Sequence, residues 1–190
     1  AFSYVIKNYP DADLINETLV WKAKTNIRLQ DETQALVALR RLLRKQNVTR
    51  EVQEDIHTTL AMAYRQLDSV SAVIDHLEQA VSLGELPSKK ARHLIILGQL
   101  YRQEDQINKS QQAFQSLIEL SKAPHHYRLH AEIEKAKNYR EGTDASMLIT
   151  QLEELTENRD NRPYLDELFY QLAVLEGKRG NREAQIRYFI

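Results

Sequence analysis

Cysteine is absent from this chain of 190 residues. Its absence removes disulfides, thiolate nucleophiles and cysteine-ligated metal sites together. It leaves the compartment open, because cytosolic and bacterial envelope proteins alike can lack it. Turn-forming residues are scarce as well, with 5 glycines and 4 prolines. An all-β fold needs many more, so long helices joined by short loops are expected. Nor is there an excess of one charge: 26 basic residues face 27 acidic ones. With that balance nothing argues for nucleic acid or for strong binding to an anionic membrane surface. No apolar run reaches the ~18 residues that would mark a membrane span. What is present is an apolar fraction of 42%, enough for a packed interior in one or two domains.

That apolar content is periodic. Small residues recur at Ala23, Ala61, Gly98, Ala136 and Ala173, spaced by 37 or 38 residues. Sixteen residues after each of the first four stands a large apolar residue: Leu39, Leu77, Phe114 and Leu152. Around these, Leu36, Leu39, Leu42 and Leu43 are spaced to share one helix face. Val73, Ile74, Leu77, Ala80 and Val81 repeat the stripe. Each unit therefore reads as a helix A bearing the small residue at a close backbone approach, followed by an amphipathic helix B. Turn signals separate A from B at Gln30-Asp31, Leu67-Asp68-Ser69, Glu104-Asp105, Gly142-Thr143-Asp144 and Gly180-Asn181. Between units lie Gln46-Asn47, Gly84 to Ser88, Ala123-Pro124, and Asn158 to Pro163.

These residues resemble the tetratricopeptide repeat, in which a small residue in helix A is followed three positions later by an aromatic. Tyr64, Tyr101 and Tyr139 supply that aromatic, while Asn26 and Glu176 depart from it. The usual period is about 34 residues, so the longer one here implies roughly one extra helical turn per unit. The resemblance implies an all-α, right-handed superhelical solenoid of antiparallel helix pairs. Its expected divisions are a lone second helix over 1–12, repeats over 13–48, 49–86, 87–123 and 124–161, and a truncated repeat over 162–190. Phe2, Val5, Ile6 and Pro10 match a helix B and the proline after it, and Tyr188-Phe189-Ile190 falls inside a final helix B. Neither end carries a polar capping repeat, so a piece of a longer array is expected, with exposed apolar stripes at both ends.

A closer resemblance rests on Phe2-x-x-Val5-Ile6-x-x-Tyr9-Pro10-x-x-Asp13 with Trp21-x-Ala23, and on 91–101, 124–139 and 164–181. The first stretch resembles bacterial envelope tetratricopeptide lipoproteins, and the later three look further like the gliding-motility and type IX secretion lipoproteins of the Bacteroidota, the SprE and PorW families. The departure is His125-His126, where relatives look to carry proline or an aliphatic. The resemblance implies a periplasmic scaffold, outer-membrane-anchored through a lipid outside this segment, with secretion-machine components as partners. The alternative is a cytoplasmic peptide-binding adaptor built on the same repeat.

In such solenoids helix A lines a concave groove. The expected protein-binding set is Lys24, Ile27, Arg28, Met62, Arg65, Arg92, Ile95, Gln99, Arg102, Ile133, Lys137 and Arg140, diluted by Glu17, Asp55, Glu141 and Glu167. Arginine forks onto carboxylates, so an extended acidic or C-terminal peptide is the expected guest. The lysine of the chaperone-tail clamp found in some relatives is replaced by Val20 and Thr58. Arg102 and Arg140 stand off the packing stripe, so reversing them should alter binding and not stability.

Chemistry finds no foothold in the motifs. No G-x-S-x-G, phosphate loop or H-E-x-x-H occurs. Glu153 and Glu154 are adjacent and diverge by about 100° on a helix, so they cannot flank one bond. His125, His126 and His130 follow Pro124 without a fixed carboxylate or cysteine beside them, and read as a polar helix start. Trp21 and the repeat tyrosines are expected in the packing between helices. Sequons at Asn16, Asn47 and Asn108 are chance matches. The expectation is a protein-binding chain, not an enzyme, with no cofactor or metal and no nucleic acid partner.

Overall fold

The computed structural model describes residues 1–189. Ile190, the last residue of the predicted terminal stripe, lies outside the described residues. The described residues form eleven α-helices and one 3-10 helix, with no strand. In order they are α1 (Phe2–Asn8), α2 (Ile15–Arg28), α3 (Glu32–Leu43), α4 (Arg50–Gln66), α5 (Val70–Leu83), α6 (Pro87–Gln103), α7 (Ile107–Ile118), α8 (His125–Ala136), α9 (Ser146–Glu157), the 3-10 turn Arg159–Tyr164, α10 (Leu165–Lys178) and α11 (Arg182–Phe189). The chain divides into two compact units, Ala1–His93 and Leu94–Ile190.

Local chemistry sets the helix ends. The Asp31 carboxylate accepts from the Gln34 N–H, and the Thr49 hydroxyl from that of Val52, so α3 and α4 begin with satisfied donors. Helices α2, α4, α6 and α10 each close on a left-handed residue: Gln30, Asp68, Asp105 and Gly180. At each, the following N–H reaches five residues back, from Asp31 to Asn26, Ser69 to Tyr64, Gln106 to Tyr101 and Asn181 to Glu176. This is the Schellman closure, which satisfies the last carbonyls and reverses the chain within two residues. Four of the five predicted turn signals within repeats are these closures.

The fourth hairpin differs. Helix α8 stops at Ala136, so Tyr139 lies beyond it, buried, with its hydroxyl donating to Thr143 O at 3.0 Å. Gly142 supplies the left-handed residue, and α9 starts only at Ser146.

In the first unit α2 packs on α3, α4 on α5, and α2 and α3 both on α4. Val20, Ile27, Leu39, Leu42, Ile56 and Leu60 lie at the centre of this core. In the second unit α7 packs on α8, α10 on α9 and α11, and α8 on α10, around Leu129, Ile133, Leu152, Leu168, Leu172 and Leu175. All five small residues, Ala23, Ala61, Gly98, Ala136 and Ala173, are buried, as helix crossings require.

Candidate peptide-binding face

Position in the repeat does not translate directly into exposure. Arg28, Met62, Arg65, Arg92, Gln99, Lys137 and Arg140 are exposed, and Lys24, Ile95 and Arg102 half-buried. Ile27 and Ile133 are not on the surface at all: each is 2% exposed and belongs to a core. The reason is angular. A residue four after the small position is turned only about 40° from it, and one three before it about 60°. An arginine placed there extends its charged end to water along a flexible stem, whereas isoleucine folds into the crossing. Trp21, two residues before Ala23, points to the opposite side and is 51% exposed. It is not packed between helices as expected, and Lys24 Nζ lies 4.5 Å from its ring centroid. Of the repeat tyrosines, Tyr101 and Tyr139 are buried and Tyr64 half-buried.

Most of the predicted cations have intramolecular partners. In the first unit Asp55 of α4 stands between Lys24 of α2 (3.9 Å) and Lys89 of α6 (3.3 Å). In the second, Arg102 of α6 bonds the Glu134 carboxylate and, at 3.0 Å, the Glu134 carbonyl of α8. Lys137 reaches the same carboxylate at 2.7 Å, and Arg140 reaches Asp105 at 2.6 Å. Burial would raise the Glu134 carboxyl, but Lys137 and Arg102 together hold it below the usual range. Glu134 backs onto a buried chain of hydrogen bonds, in which Asn138 donates to the Ser110 hydroxyl and that hydroxyl to Gly98 O. Arg102 is therefore a packing residue, contrary to the sequence expectation. Arg102→Glu should cost about 2 kcal/mol, below the range for fully buried pairs because the guanidinium is partly exposed and Lys137 remains. Urea unfolding of the variant measures this, and an unchanged midpoint would place Arg102 back on the free surface.

Three predicted cations remain. Arg28, Arg65 and Arg92 are exposed and make no ion pair among the described residues. All three lie in the first unit, and Arg28 and Arg65 occupy the last turns of α2 and α4, which pack on each other. There they also complement the negative helix ends, worth about 0.3–1 kcal/mol each. Met62, 41% exposed, and Trp21 add apolar area on the same two helices.

The first unit also buries two titratable groups. Glu54 and His93 are 2% and 5% exposed, with Glu54 Oε1 and His93 Nδ1 3.7 Å apart. Neither atom has a hydrogen-bond partner among the described residues. The Thr58 hydroxyl donates to Glu54 O, so toward His93 Nε2, at 3.2 Å, it accepts. His93 then carries its proton on Nε2 and turns a bare Nδ1 toward the carboxylate. Burial pushes the Glu54 carboxyl up, against the pull of Lys89, and Asp55, Glu51 and Glu85 raise it further. Burial pushes His93 down to about 4, with Arg92 and Lys89 adding to the effect.

The histidines of α8 have local roles. His125 Nε2 lies 2.7 Å from Asn161 Oδ1, and His130 Nδ1 3.2 Å from Glu167. No three His, Asp or Glu side chains converge as a metal site among the described residues.

Residues 91–124 match the tetratricopeptide repeat family. No curated protein sequence matches the chain. Among solved structures, the fold is similar to that of BtubC (BKLC) from P. vanneervenii, with a TM-score of 0.64 and 15% identity, over 98% of this chain and 82% of that one. At that identity the likeness concerns the fold alone. The chain is an all-α protein of sequentially packed helix pairs that carries a tetratricopeptide repeat.

Proposed function

We propose that the chain is a non-catalytic protein-binding scaffold whose first unit holds an acidic peptide segment on the shared face of α2 and α4. Tetratricopeptide modules generally serve protein–protein interaction. The observation carrying this assignment is the pair of exposed arginines Arg28 and Arg65, without ion pairs among the described residues, on two packed helices that also expose Trp21 and Met62. In the second unit the corresponding cations Arg102, Lys137 and Arg140 are engaged within the protein. A guest carboxylate could bond a free guanidinium through two parallel hydrogen bonds. Single exposed contacts are worth about 0–1 kcal/mol, so affinity requires several together with apolar contact.

The test is the double variant Arg28→Glu and Arg65→Glu, with peptide binding followed by fluorescence polarisation using acidic segments with free C-termini. Binding by the native chain should weaken with added salt, and the variant should bind at least about tenfold more weakly, a loss of 1.4 kcal/mol. Its melting curve should stay close to the native one. Undiminished binding by the variant would move the site off this face.

The proposed setting is the bacterial periplasm, in a lipid-anchored assembly supporting type IX secretion or gliding motility. It rests on the resemblance of the segments around Tyr9-Pro10, Trp21-x-Ala23, 91–101, 124–139 and 164–181. Crosslinking in the native organism should recover outer-membrane or periplasmic secretion components. Recovery of cytoplasmic partners alone would favour the adaptor reading.

A further inference from the structure

Helices α4 and α5 meet through two imidazoles. His57 Nδ1 and His76 Nδ1 are 3.1 Å apart, and the ring centroids 5.2 Å, at an interplanar angle of 50°. Two imidazole nitrogens at that distance are reconciled by one proton, donated by one ring and accepted by the other. A second proton would set two N–H groups against each other. With both rings neutral, the pair is thus two nitrogens bridged by the N–H of one ring, with no net charge between them.

We propose that this pair also binds a divalent late transition metal, Cu²⁺, Ni²⁺ or Zn²⁺, with both Nδ1 atoms as ligands and water in the remaining positions. Metal–imidazole bonds run about 2.0–2.1 Å. Two of them spanning 3.1 Å enclose an angle of about 100° at the metal, which lies between square-planar and tetrahedral values. Converging both lone pairs on one metal requires the rings to turn about χ2, a soft torsion for histidine. Imidazole suits these metals, and Cu²⁺ should bind more tightly than either Ni²⁺ or Zn²⁺.

The surroundings keep the ligands neutral. Burial lowers both imidazole pKa values; charging His76 would lower His57 further, and Arg40 of α3 lowers His76. Asp75, beside His76, acts in the opposite sense. Tyr64 of α4 stacks on His76 at 5.4 Å, and its hydroxyl is bonded by Arg40, which holds that ring in place. Neutral imidazoles are ready ligands, so metal binding requires only that the donating ring move its proton from Nδ1 to Nε2, with no net proton released. No third His, Asp or Glu converges among the described residues. The site is accordingly an exchangeable one, and a bound metal would tie α4 to α5.

The test is calorimetric titration of the untagged chain with CuSO₄, NiSO₄ and ZnCl₂ in turn, beside His57→Ala, His76→Ala and, as a control, His126→Ala. The native chain should take up one metal and melt at a higher temperature when loaded. Each variant of the pair should lose at least about tenfold in affinity, and the control none. Affinity should fall as the pH drops through the imidazole range. Should the alanine variants unfold, Cu²⁺-induced broadening of the His57 and His76 imidazole NMR signals in the native chain decides the matter. No uptake, uptake retained in both variants, or broadening centred on His126 or His130 would each overturn the proposal, leaving a hydrogen bond between two histidines.

Discussion

Gly98→Ala is expected to destabilise the protein by about 3 kcal/mol, at the upper end of the usual range for overpacking. An ideal Cβ at Gly98 would lie 2.4 Å from Phe114 Cε1, 2.5 Å from Cζ and 2.7 Å from Cδ1. Phe114 is fully buried and cannot swing aside. Nor can Gly98 retreat, because its carbonyl accepts a 2.7 Å bond from Ser110, itself held by Asn138. Alanine's better helix propensity returns at most about 1 kcal/mol. Gly177 provides the contrast: a Cβ there meets only the amide end of Gln185, which can rotate away, so Gly177→Ala should be neutral or mildly stabilising. Urea midpoints of the two variants make the comparison. A Gly98→Ala/Phe114→Leu double variant should recover much of the loss, since the smaller side chain makes room for the methyl group. If Gly98→Ala and Gly177→Ala proved equally mild, the close approach of α6 and α7 would be refuted.

Acid should weaken the fold almost as much. His93 titrates at about 4 in the folded protein against 6.5 in the unfolded chain. A lowered histidine pKa means that the unfolded state binds the proton first, so stability falls as the pH drops from about 6.5 and levels off below 4. At 1.36 kcal/mol per unit the loss is about 3 kcal/mol. His57 and His76 are lowered too and add in the same direction. Glu54 acts in the opposite sense: its raised pKa favours the fold as it takes up a proton, and so offsets part of the loss above pH 4.5. Unfolding by urea at several pH values should therefore show a slope that His93→Gln flattens. Parallel profiles for variant and native chain would mean that His93 is protonated freely in the folded state.

His93 also shows what periodicity cannot reveal. It lies five residues before Gly98, an ordinary helix A position, and nothing along the chain marks it as buried or pairs it with Glu54, 39 residues earlier. The same holds for His57 and His76, which face each other only because the Schellman turn at Asp68 sets the register of α5 on α4. The notable electrostatic contacts, Arg102 with Glu134, Arg140 with Asp105, and Asp55 with Lys89, span 32 to 35 residues. They join one repeat to the next, and their existence depends on side-chain reach across a packed interface.

The helices, their pairing and the five buried small residues were determined by the sequence itself, because each rests on local physics. Apolar spacing near 3.6 residues selects the helix and its buried face, and left-handed residues at 37- or 38-residue intervals close each chain reversal except where α8 ends early. Which surface is free to bind was decided by the tertiary structure. Ile27 and Arg65 hold the same place in the repeat, yet one fills a core and the other reaches solvent. Arg102, again at that place, is committed to Glu134, while Arg65 has no ion pair among the described residues. Burial and charge pairing are properties of what the neighbouring helix presents, and that neighbour is a repeat away in the chain.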